Sequence, residues 1–250
     1  MYYYQDIVDH LRQVHPKESA KIFDQIFLSL LTDHCLCDVF IEAGAFDAQT
    51  STTIKSKNTN CRVFAFEANI DNYNHFKKNL KDINYEFLAI SDRCGKIIFK
   101  QQSHTTDGAV FPKIRGNNSL KTRTLDKNTV YNDIEVPCTT LDDFFKNILK
   151  PQDSVAIWLD LEGAAFEALT ASKNTLSQTT FLKVEVEDKH YWQDQKLSKD
   201  IIDLLSYHDM IPLLRDFEGM TVLQYNILFA KKSIIDEKLD LYVRKLIHER

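Results

Sequence analysis

Three apolar runs in the first third of the chain, DVFIEAG (38–44), RVFAFEA (62–68) and YEFLAIS (85–91), are separated by segments at about 47–57 and 70–80 that read as helices. Strands that alternate with helices in this way build a parallel sheet, because each helix carries the chain back across a sheet face before the next strand begins. The alternation resumes further on. TTLDDFFKNIL (139–149) reads as a helix opened by Thr140 as N-cap, with Asp143 three residues on as a variant of the capping box. VAIWLDLEG (155–163) is a fourth strand, followed by a helix to about Ser172; FLKVEVE (181–187) is a fifth, followed by a helix near 196–207.

The two ends differ in kind. Helices at 5–14 and 17–31, the second carrying Ile22, Phe23, Ile26, Phe27, Leu30 and Leu31 at helical spacing, precede the first strand. At the other end MIPLLRD (210–216) and TVLQYNILFAKK (221–232) lie close together around Glu218-Gly219, which predicts an antiparallel pair, and an amphipathic helix at 233–248 closes the chain. The expected fold is therefore α/β: a doubly wound, mainly parallel, seven-stranded Rossmann-like sheet with a terminal antiparallel hairpin. Residues 1–34 form an N-terminal helical extension, and 35–250 a single domain without internal repeats. One stretch breaks the pattern. GKIIFKQQ (95–102) suggests a short extra strand, and residues 102–135 show little apolar periodicity, so they are expected to form a lid or acceptor loop.

Bulk charge narrows the function. A net charge of −5 argues against a general nucleic-acid binder, which needs a basic stripe. No apolar run approaches the roughly 18 residues of a membrane span. The N-terminus lacks a basic segment followed by an apolar one, and the odd count of five cysteines without a CxxC pair suits reduced thiols; a cytoplasmic protein is expected. Against that acidic background Lys113, Arg115, Lys121, Arg123 and Lys127 outnumber Asp107 and Asp126 in the irregular stretch. That local excess of positive charge suits an anionic acceptor such as a phosphate or a glycan carboxylate, although a solvated loop is the plainer reading.

Every strand of the parallel set ends in a carboxylate: Glu42, Glu67, Asp92 after Ser91, Asp160 with Glu162, and Glu185 with Glu187. Ligands of open α/β sheets bind outside these carboxyl ends. Crowded carboxylates repel one another there, and S-adenosylmethionine, with a sulfonium, an ammonium and a ribose diol, relieves that crowding. In a chain with 6 glycines, Gly44 at the first strand-to-helix turn lets backbone approach a ligand. Glu67 follows twenty-three residues later, near the spacing of an acidic residue that takes ribose hydroxyls. A nicotinamide enzyme shares that geometry but wants G-x-G-x-x-G, and Gly44-Ala45-Phe46-Asp47-Ala48-Gln49 keeps one glycine of three. Asp47 reads instead as a helix cap or a partner for an ammonium group.

With these residues in hand the chain resembles the FkbM-type methyltransferases, a branch of the S-adenosylmethionine-dependent class I fold. The resemblance runs from about 38 to 190, through DVFIEAGA (38–45), VFAFEAN (63–69), AISD (89–92), TTLDDF (139–144) and DLEGA (160–164). It implies that Glu42 and Gly44 line the methionine part of the cofactor, that Glu67, ahead of Ala68, binds the ribose, and that Ser91-Asp92 sits by the adenine. It also implies that Asp160 and Glu162 face the transferred methyl and the acceptor, a hydroxyl of a sugar, glycan or other small molecule. Where the family's first loop runs G-A-N-x-G, this chain reads Gly44-Ala45-Phe46-Asp47-Ala48.

Three points stay open at the level of sequence. Asp160 and Glu162 point to opposite faces of an extended strand, so only one enters the site unless the chain turns between them. His190, just beyond the fifth strand, is a further candidate base. The acidic cluster has the chemistry to hold Mg²⁺ or Ca²⁺, but a metal-free site is preferred, and a non-catalytic binding protein on the same fold is the main rival to an enzyme.

Overall fold

A computed structural model of the chain describes residues 1–124, 128–217 and 223–248. In chain order its strands are β1 (Val39–Ala43), β2 (Arg62–Glu67), β3 (Asn84–Phe87), β4 (Ala89–Ile90), β5 (Gly95–Thr105), β6 (Thr129–Thr139), β7 (Val155–Leu159), β8 (Thr179–Glu187), β9 (Met210–Arg215) and β10 (Gln224–Lys231). The helices are α1 (Gln5–Gln13), α2 (Pro16–Ser29), α3 (Gln49–Lys57), α4 (Ile70–Phe76), α5 (Leu141–Phe145), α6 (Ala165–Thr170), α7 (Lys173–Ser177), α8 (Ser198–Ser206) and α9 (Glu237–His248).

Seven strands form one sheet in the order β3-β2-β1-β7-β8-β10-β9, as the strand–helix alternation predicts. The pairs from β3 to β8 are parallel, and β10 runs antiparallel to both β8 and β9. The turn expected at Glu218-Gly219 lies outside the described residues. All five residues of β1 are buried, because helices cover both faces. Phe40 faces a core shared with Phe23 and Phe27 of α2, Leu11 of α1 and Val243 of α9. Its neighbours Val39 and Ile41 face the opposite core, with Phe145 of α5, Leu169 of α6 and Leu205 of α8. The predicted cap of α5 is present: Thr140 Oγ1 accepts a hydrogen bond from Asp143 N at 3.0 Å.

The stretch between the third and fourth strands of the parallel set is more ordered than its composition suggests. β5 and β6 pair antiparallel from Gly95↔Cys138 to Thr105↔Thr129, and β4 joins β6 in a second, three-stranded sheet. The short strand expected at 95–102 therefore extends to Thr105, and the irregular part of the stretch shrinks to the connection between β5 and β6. The expected third strand divides at Leu88, with β3 in the large sheet and β4 in the small one.

Order reverses between β1 and β7, which opens a crevice at their carboxyl ends. The turn that leaves β1 is wound tightly there. Gly44 has φ +80, and two non-glycine residues follow with positive φ, Phe46 at 48 and Ala48 at 53. Left-handed backbone costs an L-residue with a Cβ about 1 kcal/mol or more. Neither Phe46 nor Ala48 is glycine or asparagine, the residue types that best tolerate this conformation, so the turn is wound with less suitable residues. Ala48→Gly is expected to raise unfolding stability by roughly 0.5–1 kcal/mol, read as an increased urea midpoint at unchanged slope.

Candidate functional site

A cavity of about 290 Å³ occupies the crevice. Gly44 and Phe46 line it from the turn after β1, Glu67 and Ala68 from the end of β2, Leu88, Ala89 and Ile90 from the β3–β4 junction, and Asp160, Leu161 and Glu162 from the end of β7. The remaining wall is the segment Arg115–Leu120 from the β5–β6 connection. That segment is strapped down at several points. Arg115 N donates to Asn72 Oδ1 at 3.1 Å, Asn72 Nδ2 donates to Arg115 O at 2.9 Å, and Ser119 Oγ donates to Glu162 O at 2.7 Å. Further on, Thr124 N donates to Tyr191 O and Gln193 N to Thr122 O, both at 2.8 Å.

Glu67 is 6% exposed and holds the turn after β1 in place. Its Oε2 accepts from Phe46 N at 2.9 Å and its Oε1 from Asn69 N at 2.6 Å. Burial pushes its carboxyl up to about 7, against the pull of those hydrogen bonds. The Asn72 side chain and the Ala68 backbone also favour its ionised form, and Glu67 lines the cavity. Tyr85 supports the same turn by donating its hydroxyl to Phe46 O.

At the end of β7 the parity problem is resolved by the backbone. The strand stops at Leu159, Glu162 has φ +47 and Gly163 has φ +86, so the chain turns at once and both Asp160 and Glu162 line the cavity. Gly163 is needed twice over, since a Cβ there would lie 2.4 Å from the buried Trp192 ring. Glu185 on β8 completes a cluster: one oxygen each from Asp160, Glu162 and Glu185 lie within 4.8 Å of one another. Burial, then Asp160, push Glu162 up to about 8, and burial pushes Glu185 well above the usual carboxylate range. Glu187 beside them is pushed up to about 7, again chiefly by burial, and accepts from Gln195 Nε2. A hard divalent cation suits such oxygens.

A methyltransferase FkbM domain matches residues 38–214. The chain belongs to the FkbM methyltransferase family. That family is a branch of the S-adenosylmethionine-dependent methyltransferases, and the sheet order found here is that of their class I fold. The 2-O-methyltransferase NoeI of Sinorhizobium fredii (strain NBRC 101917 / NGR234) is 27% identical over 218 residues, which cover 84% of this chain and 87% of NoeI. Among solved structures, the methyltransferase FkbM of Methylobacillus flagellatus KT aligns with 81% of this chain and 47% of its own, at 13% identity and a TM-score of 0.46. This chain thus corresponds to less than half of that protein. Magnesium protoporphyrin IX methyltransferase of Synechocystis PCC 6803, solved with bound SAM, aligns with 86% of this chain and 79% of its own, at 8% identity and a TM-score of 0.47.

In this FkbM methyltransferase the structure gathers Gly44, Glu67, Ala68, Asp160 and Glu162 around one cavity, and it places the other sequence candidates elsewhere. Glu42 does not line the cavity: it is buried against α3, where its Oε2 accepts from Ser51 N at 2.9 Å and from Ser51 Oγ. Asp47 takes the capping alternative, accepting from Gln49 N at 3.1 Å. Ser91 and Asp92, just past β4, line a separate hollow of about 320 Å³, which shares Leu120 and Ala164 with the cavity. Leu88, Ala89 and Ile90 take the place expected of them. His190 is exposed and is not among the cavity-lining residues; its backbone oxygen accepts from Thr124 Oγ1 at 2.7 Å. Of the five cations in the irregular stretch, Lys113 is exposed, Lys121 pairs with Glu167 at 2.7 Å, and Lys127, like Asp126, lies outside the described residues. Phe46, Asn72 and Trp192 were not singled out beforehand, and only a knowledge of the turn geometry would have exposed them.

Proposed function

We propose that this FkbM methyltransferase transfers a methyl group from S-adenosylmethionine to a hydroxyl oxygen of a sugar, glycan or other small molecule, with 35–250 as the catalytic domain and 1–34 as its extension. The observation that carries the reading is one cavity with Glu67 at one strand end and Asp160 with Glu162 two strands away, on either side of Gly44. Two strand spacings are roughly 10 Å, enough to separate a ribose site from a reaction site. The donor chemistry fits the cofactor: Glu67 accepts from a ribose diol, Leu88, Ala89 and Ile90 offer an apolar wall for a base, and Asp160 faces positive charge. The name of the NoeI relative, a 2-O-methyltransferase, supports oxygen as the acceptor atom.

When bound, S-adenosylmethionine supplies an electrophilic methyl on a sulfonium. The residues of this chain then have three tasks. Glu67 and the turn after β1 fix position, so that reacting atoms meet in line. The Arg115–Leu120 wall limits access of water. Glu162, pushed up to about 8, accepts the hydroxyl proton at Oε2, which has no hydrogen-bond partner among the described residues and lies 4.0 Å from Arg123 Nη2. Calorimetric titration of S-adenosylhomocysteine tests the first task. The wild type is expected to bind it and not NAD, and Glu67→Gln to bind about 10- to 100-fold more weakly, the loss of one or two hydrogen bonds to a charged group. Equal affinity in wild type and Glu67→Gln would overturn the assignment of the ribose site.

A further inference from the structure

Two guanidinium groups near Glu162 keep nitrogens without hydrogen-bond acceptors among the described residues. Arg115 lines the cavity within electrostatic reach of Glu162, and its Nε and Nη1 are enclosed with no hydrogen-bond partner among the described residues. Arg123 Nε is in the same condition. Buried donors are normally satisfied, so each exception asks for a reason. Both groups lie over aromatic rings: Arg115 over Phe111 at 4.2 Å and Arg123 over Trp192 at 4.9 Å, centre to centroid. A ring on the face of a guanidinium fixes its plane and leaves the in-plane N–H edges for a planar or forked oxyanion.

Neighbouring carboxylates do not meet this demand. Glu162 Oε2 lies 4.0 Å from Arg123 Nη2, beyond hydrogen-bond distance. Burial, and then the neighbouring Arg123 guanidinium, hold Arg115 below its usual value. Lys121, by contrast, is already engaged with Glu167 and with Asp194 O at 2.9 Å.

Resting on the hydroxyl-transfer reading above, we infer that the methyl acceptor carries a carboxylate or phosphate close to the methylated hydroxyl, and that Arg115 and Arg123 bind that oxyanion. The site is polarised accordingly. The acceptor hydroxyl faces Asp160 and Glu162, which would repel its anion, and the anion faces the two guanidiniums. A sugar acid and a sugar phosphate both have this form.

The test is calorimetric titration of glucuronate, glucose 1-phosphate and glucose into the wild type, Arg115→Gln, Arg115→Lys and Arg123→Gln, each with and without saturating S-adenosylhomocysteine. At least one of the two anionic sugars is expected to bind the wild type, and glucose to bind at least about tenfold more weakly, as befits a lost charge-assisted hydrogen bond. Each glutamine variant is expected to lose ~10- to 100-fold in affinity for the anionic sugar, with Arg115→Lys recovering part of it. Affinity for S-adenosylhomocysteine is expected to stay within about twofold in all three variants, which also reports that they are folded. Which of the two sugars binds tells carboxylate from phosphate. Anionic sugars that bind no better than glucose, or equally in wild type and variants, would overturn the inference. So would a tenfold or larger loss of S-adenosylhomocysteine affinity in Arg115→Gln, since the guanidinium would then serve the cofactor's own carboxylate. A wild type that binds an anionic sugar but not S-adenosylhomocysteine would uphold the oxyanion site while the methyl-transfer reading fails.

Discussion

Glu162→Gln is expected to lower kcat by about 10²- to 10⁴-fold, the usual contribution of a positioned general base, with S-adenosylhomocysteine affinity nearly unchanged. Its pH signature is more specific than its size. Burial and Asp160 push Glu162 up to about 8, so at neutral pH most of the ligand-free enzyme holds the protonated, inactive form. In the wild type kcat/KM should therefore rise with pH through the neutral range and level off above about 8. Positive charge on a bound cofactor favours the ionised carboxylate, which moves the corresponding limb of kcat to lower pH. Glu162→Gln removes the titrating group and should flatten both limbs. A variant that keeps the wild-type slope would transfer the proton to Asp160 or to water. Exposed His190 serves as the comparison: His190→Gln should leave both rate and slope within about twofold, since its ring does not line the cavity.

What the sequence exposes and what it hides follow from the same physics. Strands covered on both faces are near-continuous apolar runs, so β1, β2, β7 and β8 stand out, and with them the carboxylates at their ends. β5 and β6 are covered only in part, which leaves Lys96, Lys100, Asp133 and Glu135 in place on their outer face. Their partners are far apart in sequence, and without an apolar signal the stretch reads as loop. The side-chain parity of Asp160 and Glu162 was undecidable for a different reason. It depends on a left-handed residue at Glu162, a residue type that gives no warning of it. Ser91-Asp92 illustrates a third limit: the block is present, but its first two residues, Ala89 and Ile90, line the cavity while Ser91 and Asp92 line the neighbouring hollow.

Gly44 has a reason to be glycine besides the ligand approach its place in the sequence suggests. It lines the cavity, yet the atom that forbids a side chain belongs to the protein: a Cβ on Gly44 would lie 1.8 Å from Asp160 O. β1 and β7 are pinned at that point, with Asp160 N donating to Ala43 O at 2.9 Å, while Gly44 N donates to Phe66 O at 3.0 Å. Backbone on three neighbouring strands must shift to admit one methyl group. Gly44→Ala is therefore expected to cost about 4 kcal/mol or more of unfolding stability, in the range reserved for named steric failures. Gly108→Ala separates the causes. Gly108 has φ +94, so alanine pays a similar conformational cost there, but nothing lies within 4 Å of its Cβ. That variant should lose only about 1–2 kcal/mol, and urea unfolding of the pair reads the steric part as the difference. Equal losses would mean that the strands yield easily at Asp160. The predicted inequality has a functional corollary, because the carbonyl that excludes the side chain belongs to Asp160, which also lines the cavity. A Gly44→Ala protein that still folds has moved Asp160, and it should lose kcat more than it loses S-adenosylhomocysteine affinity.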